Sequence, residues 1–164
     1  MGNDRKCGAC TLCCTAMAVP ELDKPNGVPC VHLTRNGCGI YEDRPESCRG
    51  FLCGWRRGIG RDVEHRPDRT GAVLHAEEDA SGEGKGVAWV AYADPSAKRG
   101  PLDGKFLPKF IDREVQKGNT IFVVTGDERQ MFTHPQSNYS KIVRASEKQN
   151  TPALDPDQDG GNVA

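Results

Sequence analysis

The sequence predicts an α+β protein. A small cysteine-rich metal-binding lobe comes first, then a small antiparallel sheet with one packed helix, then a disordered C-terminal tail. Three observations carry this expectation. All eight cysteines lie within the first 53 of the 164 residues. Between residues 71 and 134, strand-like runs flank one stretch with helical spacing. Beyond residue 134 the chain is dominated by polar residues and Pro, a composition that buries too little apolar surface to offset ordering.

Residues 1–53 form the cysteine region. Its larger apolar side chains are few and its acidic and basic charges balance. A segment of this kind needs staples to fold. A metal would supply them, since structural zinc contributes roughly 10–16 kcal/mol of apparent folding free energy in small peptides. Residues 54–70 are rich in Gly and Arg and read as a solvated connector. The sharper alternative is a local anion or RNA contact, with Trp55 stacking beside the arginines.

Residues 71–134 are expected as the small α/β lobe. Strands are predicted over 72–77 and 87–93, joined by a polar, Gly-containing turn over 79–85. Leu102, Phe106, Leu107, Phe110, Ile111 and Val115 recur at helical spacing, so a helix is predicted over 102–117, capped by Gly118. Pro108 either kinks that helix or moves its start toward residue 107. The β-branched run 120–125 is the clearest strand, and 129–133 returns after a turn at Gly126. Residues 135–164 are the polar tail, with a short helix expected near 139–148.

A formal net charge of −1 gives no global argument for nucleic acid or for an anionic membrane. No stretch approaches the ~20 apolar residues of a spanning helix. No apolar h-region follows Met1, so no secretory signal is expected and the reading is cytoplasmic. In that reducing setting a cysteine cluster points to metal or catalysis rather than disulfides. The partner expected is therefore a metal ion, with a protein partner left open. Asp155, Asp157, Asp159 and Gly160 match the start of a calcium loop, but Pro156 interrupts it and no Glu completes it, so it reads as acidic tail. His65, His75 and His134 are isolated and read as surface or satisfied histidines. The common nucleophile-elbow, phosphate-loop, dinucleotide and zinc-protease motifs are missing, so no catalytic residue or cosubstrate is assigned.

The metal-ligand candidates are Cys7, Cys10, Cys13, Cys14, Cys30, Cys38, Cys48 and Cys53. The first four make a C-x2-C-x2-C-C run. Three thiols at that spacing serve cubane iron–sulfur clusters, with a fourth ligand from a distance. The last four are spread along the chain, as in a tetrahedral zinc site, and His32 is a further candidate beside them. Eight thiolates suit two four-coordinate sites, or one cluster with bystanders. Adjacent Cys13 and Cys14 point in different directions, so they serve different sites or only one is a ligand. The cofactor expected is zinc or iron, including a [4Fe–4S] cluster.

Taken in order, Cys7-x2-Cys10-x2-Cys13-Cys14, Pro29-Cys30-x2-Leu33, Gly37-Cys38-x-Ile40-Tyr41-Glu42-x-Arg44-Pro45 and Cys48-Arg49-x-Phe51-x-Cys53 resemble the CxxCxxCC (YkgJ-like) cysteine-cluster family. The resemblance covers about residues 7–53, a third of the chain. It implies zinc or iron chelation through the eight cysteines. A flagellin lysine methylase contains a related cluster, but that enzyme is much longer, and no S-adenosylmethionine motif is present here. Pro45 is expected to open a helix that turns Cys48 inward. Arg49 is expected either to donate near the sulfurs or to pair, like Arg44, with Glu42, Asp43 or Glu46. Tyr41, Phe51 and Leu52 are expected to pack around the site.

Overall fold

The computed structural model describes residues 5–78 and 87–135. The turn over 79–85, the helix near 139–148 and the acidic run from Asp155 lie outside the described residues. The N-terminal third holds two short helices, α1 (Leu12–Ala16) and α2 (Glu46–Gly50), and a two-stranded hairpin of β1 (Leu33–Thr34) and β2 (Gly37–Cys38). Helix α3 (Pro67–Thr70) follows, then strands β3 (Ala72–Glu78) and β4 (Val87–Ala93), helix α4 (Phe106–Gln116), and strands β5 (Thr120–Thr125) and β6 (Glu128–Phe132).

The four longer strands form one sheet in the order β3-β4-β5-β6. Its outer pairs are antiparallel, as the hairpin-like connections dictate. The central pair is parallel, with Ala88 opposite Thr120 and Ala93 opposite Thr125. The sheet is therefore mixed, which corrects the expected antiparallel sheet. The physical reason is the connection: α4 lies between β4 and β5, and a helical crossover returns the chain to the same end of the sheet. Pro108 does not kink α4. It is the third residue of the helix, where its missing N–H has no intrahelical acceptor to serve.

Alternation along the strands assigns each sheet face a cover. Ala72, Leu74, Ala91, Ile121 and Val123 meet Leu107, Phe110 and Ile111 of α4 in one buried cluster. Val73 points the other way, into a second cluster with Cys53 and Trp55, against which Leu12, Cys13, Met17 and Phe51 pack. The cysteine region is thus the second cover of the sheet, and the fold has three layers.

Residues 54–70 carry ordered structure. Trp55 is 8% exposed, and its indole N–H donates to the Asp62 carbonyl at 2.9 Å. The Arg5 guanidinium donates to four carbonyls of this segment, those of Trp55, Ile59, Gly60 and Arg61, at 2.9–3.1 Å. Buried Trp55 does not present a face for a base, so the stacking contact offered as the sharper alternative has no support in this placement.

Two residues outside the site carry sharp expectations. Gly27 has φ +73°, and a Cβ there would stand 2.7 Å from the Cα of Gly126 in the β5–β6 turn. Left-handed backbone alone costs a non-glycine residue about 1–2 kcal/mol. Gly27→Ala should therefore lower stability by about 2 kcal/mol, read as a shift in urea midpoint; an unchanged midpoint would show that the loop is not held against that turn. Glu114 is 5% exposed and accepts from Arg113, Lys117 and Asn119 at 2.8–3.0 Å. Burial pushes its carboxyl up, and these hydrogen bonds more than reverse the push, leaving it below its ordinary value. A depressed folded value means the stabilisation is present above the unfolded value and is lost as pH falls through the folded one. Glu114→Gln should flatten the acid limb of the stability curve; a limb as steep as the parent's would contradict this.

Candidate functional site

Tight turns present the first cysteines. Cys10 N–H donates to the Cys7 carbonyl at 3.0 Å and Cys14 N–H to the Thr11 carbonyl at 2.9 Å. Helix α1 carries Cys13 and Cys14. The second segment is tied to the first by the Cys30 N–H, which donates to the Cys14 carbonyl at 2.9 Å. From Cys30 the chain turns into the β1–β2 hairpin, where Cys38 faces Leu33 across the strands. Pro45 stands at the N-terminal cap of α2, as its fixed φ suits, and α2 carries Cys48. Glu21 clamps that helix by accepting from the Ser47 backbone N–H at 3.0 Å and its hydroxyl at 2.8 Å.

These elements enclose a cavity of about 410 Å³. Every cysteine except Cys53 lines it, together with His32, Tyr41, Arg44 and Phe51. All eight cysteines are free thiols. Cys53 is 8% exposed and lies behind the wall, packed with Trp55 and Val73. Cys13 both lines the cavity and packs against that cluster.

The thiols are electrostatically unequal. The Cys13 thiol donates to the Cys14 sulfur, which brings Cys14 down to about 6 against the opposing effect of burial; Lys24 and Arg44 add to the lowering. The same hydrogen bond, with burial, pushes Cys13 up. Burial also raises Cys10, Cys48 and Cys53, while backbone amides of Leu12 and Asp68 at Cys10, and of Arg56 and Trp55 at Cys53, favour the thiolate.

Lys24 is a residue beside the site that the sequence did not single out. It is 7% exposed. Its ammonium donates to the Met17 carbonyl, and to those of Thr15 at 3.4 Å and Pro25 at 3.3 Å. Two of these acceptors belong to the C-terminal end of α1, where free carbonyls and the helix dipole favour a cation. Burial pushes Lys24 down, and Cys30, Cys14, Cys13 and Cys48 oppose that push. A single lysine between Pro20 and Pro25 gives no sequence signal for this role.

The remaining expectations divide. Arg49 takes the pairing reading, with Nε 3.5 Å from Glu46. Arg44 instead donates to the Tyr41 carbonyl at 2.6 Å and lies 3.6 Å above the Tyr41 ring. Tyr41 is 57% exposed and forms part of the cavity rim rather than a core; Phe51 packs inside, as expected, and Leu52 is exposed. His65 is satisfied, accepting from the Arg61 N–H at 3.0 Å and stacking on Phe106. His75 packs on Phe51 with its Nδ1 buried and without a hydrogen-bond partner, so it is not the surface or satisfied histidine expected.

The donor chemistry fits a thiophilic metal, because soft sulfurs from three chain segments face one space. As placed, no group of three Cys, His, Asp or Glu side chains among the described residues stands close enough to hold one ion. Coordination at about 2.3 Å per zinc–sulfur bond would draw the sulfurs inward. Among the described residues no helix is long and apolar enough to cross a membrane. Comparison with protein-family models, curated proteins and solved structures gives no match, so the cysteine-cluster resemblance rests on the residues quoted above.

Proposed function

We propose that this chain is a cytoplasmic metal-binding protein that chelates zinc or iron through its N-terminal cysteine thiolates. The observation that carries the reading is convergence: thiols from Cys7 to Cys48, all unpaired, face one cavity. Partial burial raises the cost of ionising Cys10, Cys13 and Cys48, and a bound cation would remove that cost by compensating their charge. Lys24 and Arg44 supply part of the same compensation.

The spacing of Cys7, Cys10 and Cys13 supports a second reading, because three thiols in one such run with a fourth from a distance suit a cubane cluster. An iron–sulfur cluster with a redox or protein-modifying, methylase-related role is that alternative. Replacing Cys7 and Cys10 together by Ser should reduce bound metal and lower the melting temperature. Metal content and melting temperature equal to the parent's would sink the proposal.

A further inference from the structure

Cys7, Gly8, Ala9 and Cys10 form a single turn. The Cys10 N–H donates to the Cys7 carbonyl at 3.0 Å. Gly8 takes the first central position at φ +57°, a backbone conformation that suits glycine. A turn of this kind brings its first and fourth Cα atoms within about 7 Å. Disulfides span Cα separations of about 4.4–6.8 Å, so this backbone holds the two cysteines within reach of one.

The two thiols differ in access. Cys7 is exposed and Cys10 is half-buried. Asp68 meets Cys10 with both its backbone N–H and its carboxylate. Arg66 holds that carboxylate through two bonds at 2.6 and 2.8 Å. Arg66 also neighbours Cys7, and a Cβ on Gly8 would stand 3.2 Å from its Nη1. A guanidinium thus lies over the turn, where it offsets charge on an attacking sulfur.

We propose that Cys7 and Cys10 are a reversible dithiol–disulfide couple that exchanges with low-molecular-weight disulfides. Exposed Cys7 attacks one sulfur of the disulfide, forms a mixed disulfide and releases one small thiol. Cys10 then attacks the Cys7 sulfur, forms the Cys7–Cys10 bond and releases the second small thiol. The two cysteines give up two electrons and two protons, and both end on the thiols released. The bond closes a loop of four residues, and short loops gain least from cross-linking, so the oxidised turn stays open to reduction. This activity goes beyond the metal-binding reading and does not depend on it. A metal ion on these two sulfurs and a bond between them exclude each other, because both use the same electron pairs.

The test equilibrates the reduced full-length chain anaerobically with glutathione and glutathione disulfide at a series of ratios. Alkylation traps the remaining thiols, peptide mass spectrometry assigns each link, and metal content is measured on the same samples. The Cys7–Cys10 link should form first, rise with the share of disulfide and disappear when glutathione is restored. Cys10→Ser should stop at a mixed disulfide between Cys7 and glutathione. Cys7→Ser should leave Cys10 without an adduct at ratios that link the parent fully. Cys13 and Cys53 also neighbour Cys7 and are the rival partners. Cys7 and Cys10 both reduced at every ratio, or Cys7 joined as often to Cys13 or Cys53 as to Cys10, would overturn the couple; metal bound in those samples would leave the metal-binding reading standing. A Cys7–Cys10 link in a chain that takes up no metal would support the couple and sink the metal-binding reading instead.

Discussion

Chelation of metal from the reduced protein should unfold residues 7–53 while α4 and the strands it covers stay folded. The expectation follows from how each layer is held. On the α4 face, Leu107, Ile121 and Ala91 are fully enclosed by apolar neighbours. On the other face, buried anchors are few: Ala16, Val19, Cys53 and Trp55. The two-residue strands and five-residue helices of that layer are too short to hold themselves. If metal supplies on the order of 10 kcal/mol there, its loss is comparable to the whole stability of an ordinary domain. Hydrogen exchange should show protection lost over 12–53 and kept over 106–125, with Trp55 fluorescence shifting as its cover leaves. Equal protection before and after metal removal would mean that the layer folds without metal.

Lys24→Met should produce the second large effect, a loss of about 3 kcal/mol in stability together with weaker metal retention. The Met side chain keeps most of the apolar stem but leaves the carbonyls of Met17, Thr15 and Pro25 without their charged donor. Hydrogen bonds to a charged group contribute about 1.5–3 kcal/mol each, and buried acceptors left unpaired cost about 1–3 kcal/mol. Relief from burying an ammonium offsets part of this. The balance remains unfavourable, because the same side chain fixes the end of α1 and offsets the charge of four neighbouring cysteines. Denaturant midpoints and metal content of parent and variant, measured side by side, decide it. A variant as stable and as metal-rich as the parent would show that Lys24 neither anchors α1 nor serves the thiols.

What the sequence made legible is local. The β-branched run Thr120–Thr125 and the alternating Val87–Ala93 declare themselves as strands, and both form over those residues. Phe110, Ile111 and Leu107 mark the buried stripe of α4, although the helix starts later than its apolar spacing alone suggests, because Pro101–Asp103 forms a separate turn. The strand direction of β5 was not legible, since it depends on where the crossover returns the chain. Order in residues 54–70 was hidden for a similar reason: it comes from Arg5, about fifty residues away. At the site, the cysteines and His32 could be read from type and spacing. The burial of Cys53 and the docking of Lys24 onto α1 could not, because a thiol or an ammonium carries no mark of what will surround it.

The most direct measurement is anaerobic expression of the full chain, followed by elemental analysis for zinc, iron and acid-labile sulfide alongside an absorption spectrum. The proposed function predicts metal in at least stoichiometric amount, either colourless zinc or brown iron with matching sulfide. A folded, metal-free protein with no uptake when zinc and iron are supplied would contradict it.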